Sequence, residues 1–290
     1  MTTITESQLK AALSEINAKR YANPRTRAPL ERPWTRIRRA FEKDLGKLQH
    51  GIDGQALEQL ATLDFPRPHK HIYLKAPFLI WAWREYPQHG SGHTTLWDTH
   101  IEPGNNWAKI LTDYEVGRWA RWFVNRDYLV FYFLWDNPFG HDVVVNVSSY
   151  LMLNGQCRAT AYAGLLGIDG GEAELYVYGQ LSLFEWWNNP ATEPLFQPNQ
   201  QQPVTNPPIS VTGPLIWLGK PAEDKFQDVS GPYYVNYNMF RVPSGGTALF
   251  EVALRLVYLD VGYAEISSDF ASNDRKVLCP YVDLEILPLG

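Results

Sequence analysis

From His71 onward the chain alternates apolar and polar residues with a period of two. Val143, Val145, Val147, Leu151 and Leu153 alternate with Val144, Asn146, Ser148, Tyr150 and Met152. Phe250, Val252, Leu254, Leu256 and Tyr258 alternate with Glu251, Ala253, Arg255, Val257 and Leu259, and Val282, Leu284 and Ile286 with Asp283 and Glu285. A strand points successive side chains to opposite faces, so this pattern predicts strands with one face on a core and one wetter face. Turn signals separate the runs. Asn154-Gly155 predicts a hairpin. Asp136-Asn137-Pro138-Phe139-Gly140, Asp169-Gly170-Gly171, Ser244-Gly245-Gly246 and Asp260-Val261-Gly262 predict further turns. The runs number about ten to twelve, which suits a sandwich, jelly roll or barrel.

The first 66 residues follow a different period. Leu9, Ala12, Leu13 and Ile16 recur at helical spacing, and Thr5 with Gln8 fits a capping box, which predicts a helix over residues 5–19. Tyr21–Pro29 reads as a linker. Trp34, Ile37, Phe41, Leu45 and Leu48 form the stripe of a second helix over 31–48, with Pro33 in its first turn. A third is expected over 55–63, stopped by Phe65-Pro66-Arg67-Pro68. The expected organisation is therefore a helical N-terminal segment, 1–66, packed on one sheet of a mostly β domain, 67–290. That domain is read as an antiparallel, jelly-roll-like β-sandwich.

Two runs break the one-wet-face rule. Tyr128–Trp135 and Phe78–Trp83 are apolar at nearly every position, so both of their faces require cover. The amphipathic N-terminal helices or a partner subunit would supply it. Asn188–Pro214 differs in kind. It holds seven prolines and the polar run Gln197–Gln202, which excludes a central strand. It is expected to be an insertion loop of about 188–214, or a linker.

Composition is that of a folded protein: 45% hydrophobic, 20% charged and 14% aromatic, with 11 Trp in 290 residues. No run has the length of a membrane helix, and the N-terminus carries no basic and apolar leader. The sequence reads as soluble, cytoplasmic or released by a non-classical route. The net charge of −5 is uneven, because residues 1–50 carry 11 Lys+Arg against 5 Asp+Glu. Arg20, Arg25, Arg27, Arg32, Arg36, Arg38 and Arg39 could contact nucleic acid, but the apolar stripe and the acidic body favour docking instead. Cys157 and Cys279 read as buried thiols or as one long-range disulfide.

Motifs for chemistry are sparse. His69, His71, His89, His93 and His100, with Asp98 and Glu102, could form a metal cluster, yet no spacing matches a known ligand pattern. They serve equally as polar loop residues. No Gly-x-Ser-x-Gly is present. Glu172 and Glu174 share a strand face near Glu185, as paired catalytic carboxylates or a solvated face would. No phosphate loop precedes a helix, and Asp169-Gly170-Gly171-Glu172 lacks the spaced oxygens of an EF-hand. No cofactor or metal is expected.

The aromatic residues are the most distinctive feature. Trp81, Trp83 and Trp135 fall in core-like strands. Trp97, Trp107, Trp186 and Trp187 fall in loop-like settings and are the candidate contact surface. The expectation is a noncatalytic interaction protein that binds a glycan, a cell or membrane surface, a protein partner or copies of itself. A homo-oligomer is plausible on this reading and a nucleic-acid partner is not. The alternatives are a jelly-roll shell component, a secreted toxin or adhesin, and a hydrolase or metal-dependent enzyme centred on residues 69–102. Fold alone does not decide among them.

Overall fold

The computed structural model describes residues 70–85, 93–116, 123–163, 170–186, 195–213 and 222–287, together with Ala11. The three helices read in the N-terminal segment lie outside these residues apart from Ala11. His69, His89 and Trp187 also lie outside them.

Fourteen strands are described: β1 (Lys70–Leu74), β2 (Leu79–Glu85), β3 (His93–Glu102), β4 (Trp107–Val116), β5 (Phe123–Asp136), β6 (Val143–Tyr162) and β7 (Glu172–Trp186), then β8 (Leu195–Pro203), β9 (Ile209–Thr212), β10 (Ala222–Val242), β11 (Thr247–Val261), β12 (Ala264–Phe270), β13 (Lys276–Leu278) and β14 (Val282–Leu287). All pairings are antiparallel. The first sheet has eight strands, ordered β1-β14-β6-β12-β4-β13, with β10 beside β6 and β3 beside β4. The second has six, ordered β2-β5-β11-β7-β8, with β9 beside β7. The two sheets enclose one core.

The period-two pattern sets which side chains face it. Val143, Val145, Val147, Leu151 and Leu153 of β6 point inward, as do Phe250, Val252, Leu254, Leu256 and Tyr258 of β11. The apolar run in β5 is buried on both faces: Leu129, Phe131 and Phe133 inward, Tyr128, Val130 and Tyr132 outward. Leu249, Ala253 and Val257 on the outward face of β11 are buried as well.

Two local expectations are corrected. Asn154-Gly155 is not a hairpin turn but lies within the 20-residue β6. A Cβ on Gly155 would fall 2.2 Å from Phe270 Cδ1. The glycine therefore makes room for a ring inside the sandwich rather than a reversal of the chain. The Pro-rich stretch is not all loop, because Leu195–Pro203 forms β8 and pairs with β7 at the edge of the second sheet. Proline is tolerated there because the outward side of an edge strand needs no N–H donor.

Candidate functional site

Of the four tryptophans proposed as one contact surface, the three within the described residues occupy strands rather than loops, and Trp187 lies outside them. Trp97 is in β3, Trp107 opens β4 and Trp186 closes β7. Trp97 sits opposite Thr112, on the inward face of the first sheet, and packs on the core. Trp107 sits opposite Glu102, with the inward-facing Ala108 next to it in sequence, and so faces outward. Trp97 and Trp107 therefore lie on opposite faces of one sheet. Trp186 belongs to the second sheet, paired with Thr247.

Trp97 is explained by an inward polar cluster that joins the two sheets. Asp127 is fully buried, at the same parity of β5 as Leu129 and Phe131. It accepts hydrogen bonds from Arg84 Nε (3.0 Å), Thr112 Oγ1 (2.9 Å), Tyr114 Oη (2.9 Å) and Asn125 Nδ2 (3.2 Å). Asn125 also donates to the Tyr114 hydroxyl. The Arg84 guanidinium lies 4.0 Å from the Trp97 ring and 4.8 Å from the Tyr114 ring. Trp97 thus forms a wall of a buried ion pair. Burial pushes the Asp127 carboxyl above the usual carboxylate range, and the hydrogen bond and charge of Arg84 oppose it. Next to this cluster Tyr258 shares a 2.6 Å hydrogen bond with Ser268. One row further along β11, the Asp260 carboxyl is fully buried with no hydrogen-bond partner among the described residues, and burial raises it far above the carboxylate range.

The outward face of the first sheet carries the exposed aromatic surface. Tyr234 of β10 stands directly opposite Tyr150 of β6, with ring centroids 5.2 Å apart. Tyr150 lies 6.3 Å from Tyr281, Tyr281 lies 5.5 Å from Tyr73, and Tyr73 stacks on His71 at 6.2 Å. Tyr73 is 51% exposed and Tyr234 47%. The rings cross four strand positions, about 14 Å at about 4.8 Å per strand. The next outward row runs Pro232, Met152, Leu278 and Trp107, in register from β10 through β6 and β13 to β4. Trp107 thus shares this band with the tyrosines.

Local chemistry positions the band. Asn106 holds a left-handed conformation, φ 58°, that asparagine tolerates. Its side chain donates to the carbonyls of Lys75 and Pro280, and its own carbonyl accepts from the Cys279 N–H at 3.1 Å. These bonds draw the start of β4, the end of β1 and the β13–β14 connection together, which brings Trp107 toward Tyr281. Ser149 donates to the Tyr281 carbonyl at 2.6 Å and fixes the same connection from beneath.

Polar groups border the band on both sides. On one side His71 Nδ1 donates to Asp283 at 3.0 Å, and Asn146 donates to Glu285 at 2.8 Å. Ser148 and Asn236 face each other in the row of Asp283 and Tyr73, next to that of Tyr150 and Tyr234. On the other side stand Ser230, Asn154, Lys276 and Lys109, a continuous outward row. Burial, then the neighbouring charges, holds the Tyr281 hydroxyl above its ordinary pKa, so it stays a neutral donor and acceptor.

Of the histidine segment, His71 and His100 are described with their partners. His71 pairs with Asp283 in β14 and His100 with Glu102 at 2.9 Å, with both histidines exposed. Among the described residues no three His, Cys, Asp or Glu side chains could hold a metal ion. Glu174 accepts from Tyr176 and Ser210. Cys157 and Cys279 are free, buried thiols, and burial pushes Cys279 up to about 12. No helix among the described residues is long and apolar enough to cross a membrane.

Fold and face together define an antiparallel β-sandwich with an outward aromatic band edged by hydrogen-bonding side chains. No protein-family model matches the chain, and no curated protein matches its sequence.

Proposed function

We propose that this protein is a noncatalytic glycan-binding module, and that the outward face of the first sheet takes up the sugar chain. The observation that carries this reading is the row of outward rings Tyr234, Tyr150, Tyr281 and Tyr73, the first and last exposed and the middle two half-buried. The C–H face of a pyranose is apolar and packs on an aromatic face, while its hydroxyls reach donors and acceptors at the rim. The ring spacings are comparable to the length of one sugar residue. Ser148, Asn236, Ser230 and Asn154 flank the rings and offer hydrogen-bonding groups to hydroxyls. A band of this size left open on a sheet face marks a contact surface.

The rings are not coplanar. Successive pairs meet at 54°, 68° and 84°. This favours a single, twisted, extended glycan chain over a flat crystalline surface. The finer architecture belongs to the same proposal: a jelly-roll-like sandwich with a helical segment over 1–66 on one sheet, supported by the helical spacing of Leu9, Ala12, Leu13 and Ile16.

The test is affinity electrophoresis and calorimetry against a panel of neutral and acidic polysaccharides. Tyr150→Ala and Tyr234→Ala should each weaken binding by about 1 kcal/mol, or about fivefold, the scale of one ring contact. Both side chains face outward, so circular dichroism should be unchanged. If the intact protein binds none of the panel, or if the double variant binds as well as the parent, the proposal is wrong.

A further inference from the structure

Resting on the glycan-binding reading, we infer that the ligand of this face is an acidic polysaccharide, one bearing uronate carboxylates, and that Lys276 receives the carboxylate. The two borders of the aromatic band differ in free charge. On the Asp283 side stand two acids, Asp283 accepting from His71 and Glu285 from Asn146. On the opposite border two ammonium groups stand beside Trp107, Lys109 at 6.0 Å and Lys276 at 5.9 Å from the ring. Lys109 is committed to the fold, donating to the carbonyls of Ala271 and Asn273, both at 2.9 Å. Lys276 is exposed on the outward face of β13 and has no ion-pair partner among the described residues.

Among the described residues no carboxylate forms an ion pair with Lys276, the exposed Asp274 two positions away included. Glu102 is bonded to His100. Asp269, one row further on, is bonded to Arg275 and to the N–H groups of Ala271 and Ser272. Asp228, at the end of that row, accepts from Gln156. Among the described residues of the band, Lys276 is thus a cation without an ion-pair partner, beside the Trp107 ring and two rows from Tyr150 and Tyr234. A neutral sugar chain leaves that ammonium unused. A uronate places a carboxylate on the rim of the same ring that packs on the aromatic face, and so uses both.

The experiment uses the full chain with polygalacturonate, alginate and hyaluronan, each against its carboxyl-reduced form. At low salt at least one acidic polymer should bind about fivefold more tightly than its neutral counterpart, the upper range of an exposed ion pair. The preference should fade as salt approaches physiological strength and beyond. Lys276→Gln should abolish the preference while leaving the affinity for the reduced polymer unchanged, and Lys276→Arg should keep it. Equal binding of acidic and reduced polymers, or an undiminished preference in Lys276→Gln, overturns this inference and leaves the glycan reading standing. Binding of none of the six polymers overturns both.

Discussion

Asp127→Ala tests how the two sheets are held together. The carboxylate receives Arg84 from β2 and Asn125 from its own strand in the second sheet, and Thr112 and Tyr114 from β4 in the first. It is fully buried, and the Arg84 side chain is only 12% exposed. Removing the carboxylate leaves a guanidinium that stays charged at any working pH, still enclosed between Trp97 and Tyr114. Breaking a buried pair on one side costs about 3–5 kcal/mol, much of it from the stranded charge. Three further donors lose their acceptor, and the small cavity adds to the loss. Arg84 keeps further contacts, so the expected cost falls within that range rather than above it. The assay is urea unfolding followed by tryptophan fluorescence, with Trp97 as a reporter at the pair. The control is Arg84→Met with Asp127→Leu, which removes both charges and keeps volume. It should recover most of the loss, because paired apolar replacement is often neutral. Comparison of Asp127→Ala, Arg84→Met and the double variant isolates the coupling. A loss below about 1 kcal/mol in Asp127→Ala would refute the stranded-charge reasoning. So would a double variant less stable than Asp127→Ala.

Two other perturbations follow from the interior. Gly155→Ala puts a Cβ within 2.4 Å of two Phe270 ring atoms inside the core. It should cost about 1–3 kcal/mol by overpacking, read from the urea midpoint at constant slope, and Phe270→Leu in the same background should relieve part of it. Asp260 has a folded pKa raised well above its ordinary 3.8. Its contribution is full below the unfolded value and is lost as pH rises through the folded value. Asp260→Asn should therefore be more stable than the parent at pH 8–9, with the gap closing toward pH 4. A pH-independent difference in thermal midpoint would count against an unpartnered acid at this position.

Parity along a strand was the legible part of this sequence. It set the inward faces of β6 and β11 and the double burial of β5, because each follows from side chains two residues apart. The same parity holds Asp127, in phase with Leu129, Phe131 and Phe133, and Asp260, in phase with Tyr258 and Leu256. A carboxylate at an inward position is the signal that finds both groups before any coordinates do. Arg84, the counterpart of Asp127, is in phase with Ile80 and Ala82 in the same way. Two local signals misled for one reason. Asn154-Gly155 and the prolines of β8 were read as punctuation, which they are when the neighbouring chain is unknown. The Phe270 ring over Gly155 and the edge position of β8 come from pairings between distant segments.

The aromatic band belongs to the same category. Tyr150 and Met152 stand on the wet face of an alternating strand, and that much is written in the sequence. Tyr73, Tyr234 and Tyr281 lie far from them along the chain. They meet only because β10 pairs with β6 along nearly its whole length while β14 and β1 pair on its other side. Tryptophan drew attention by its rarity, but a large indole next to an apolar run is most often used where Trp97 and Trp135 are, against the core. Trp107 escapes that fate because it falls one residue before the inward-facing Ala108, at the parity that turns the indole outward. The signal for such a surface is thus not the tryptophans themselves. It is tyrosines at the polar phase of several strands, where nothing in core packing calls for an aromatic ring.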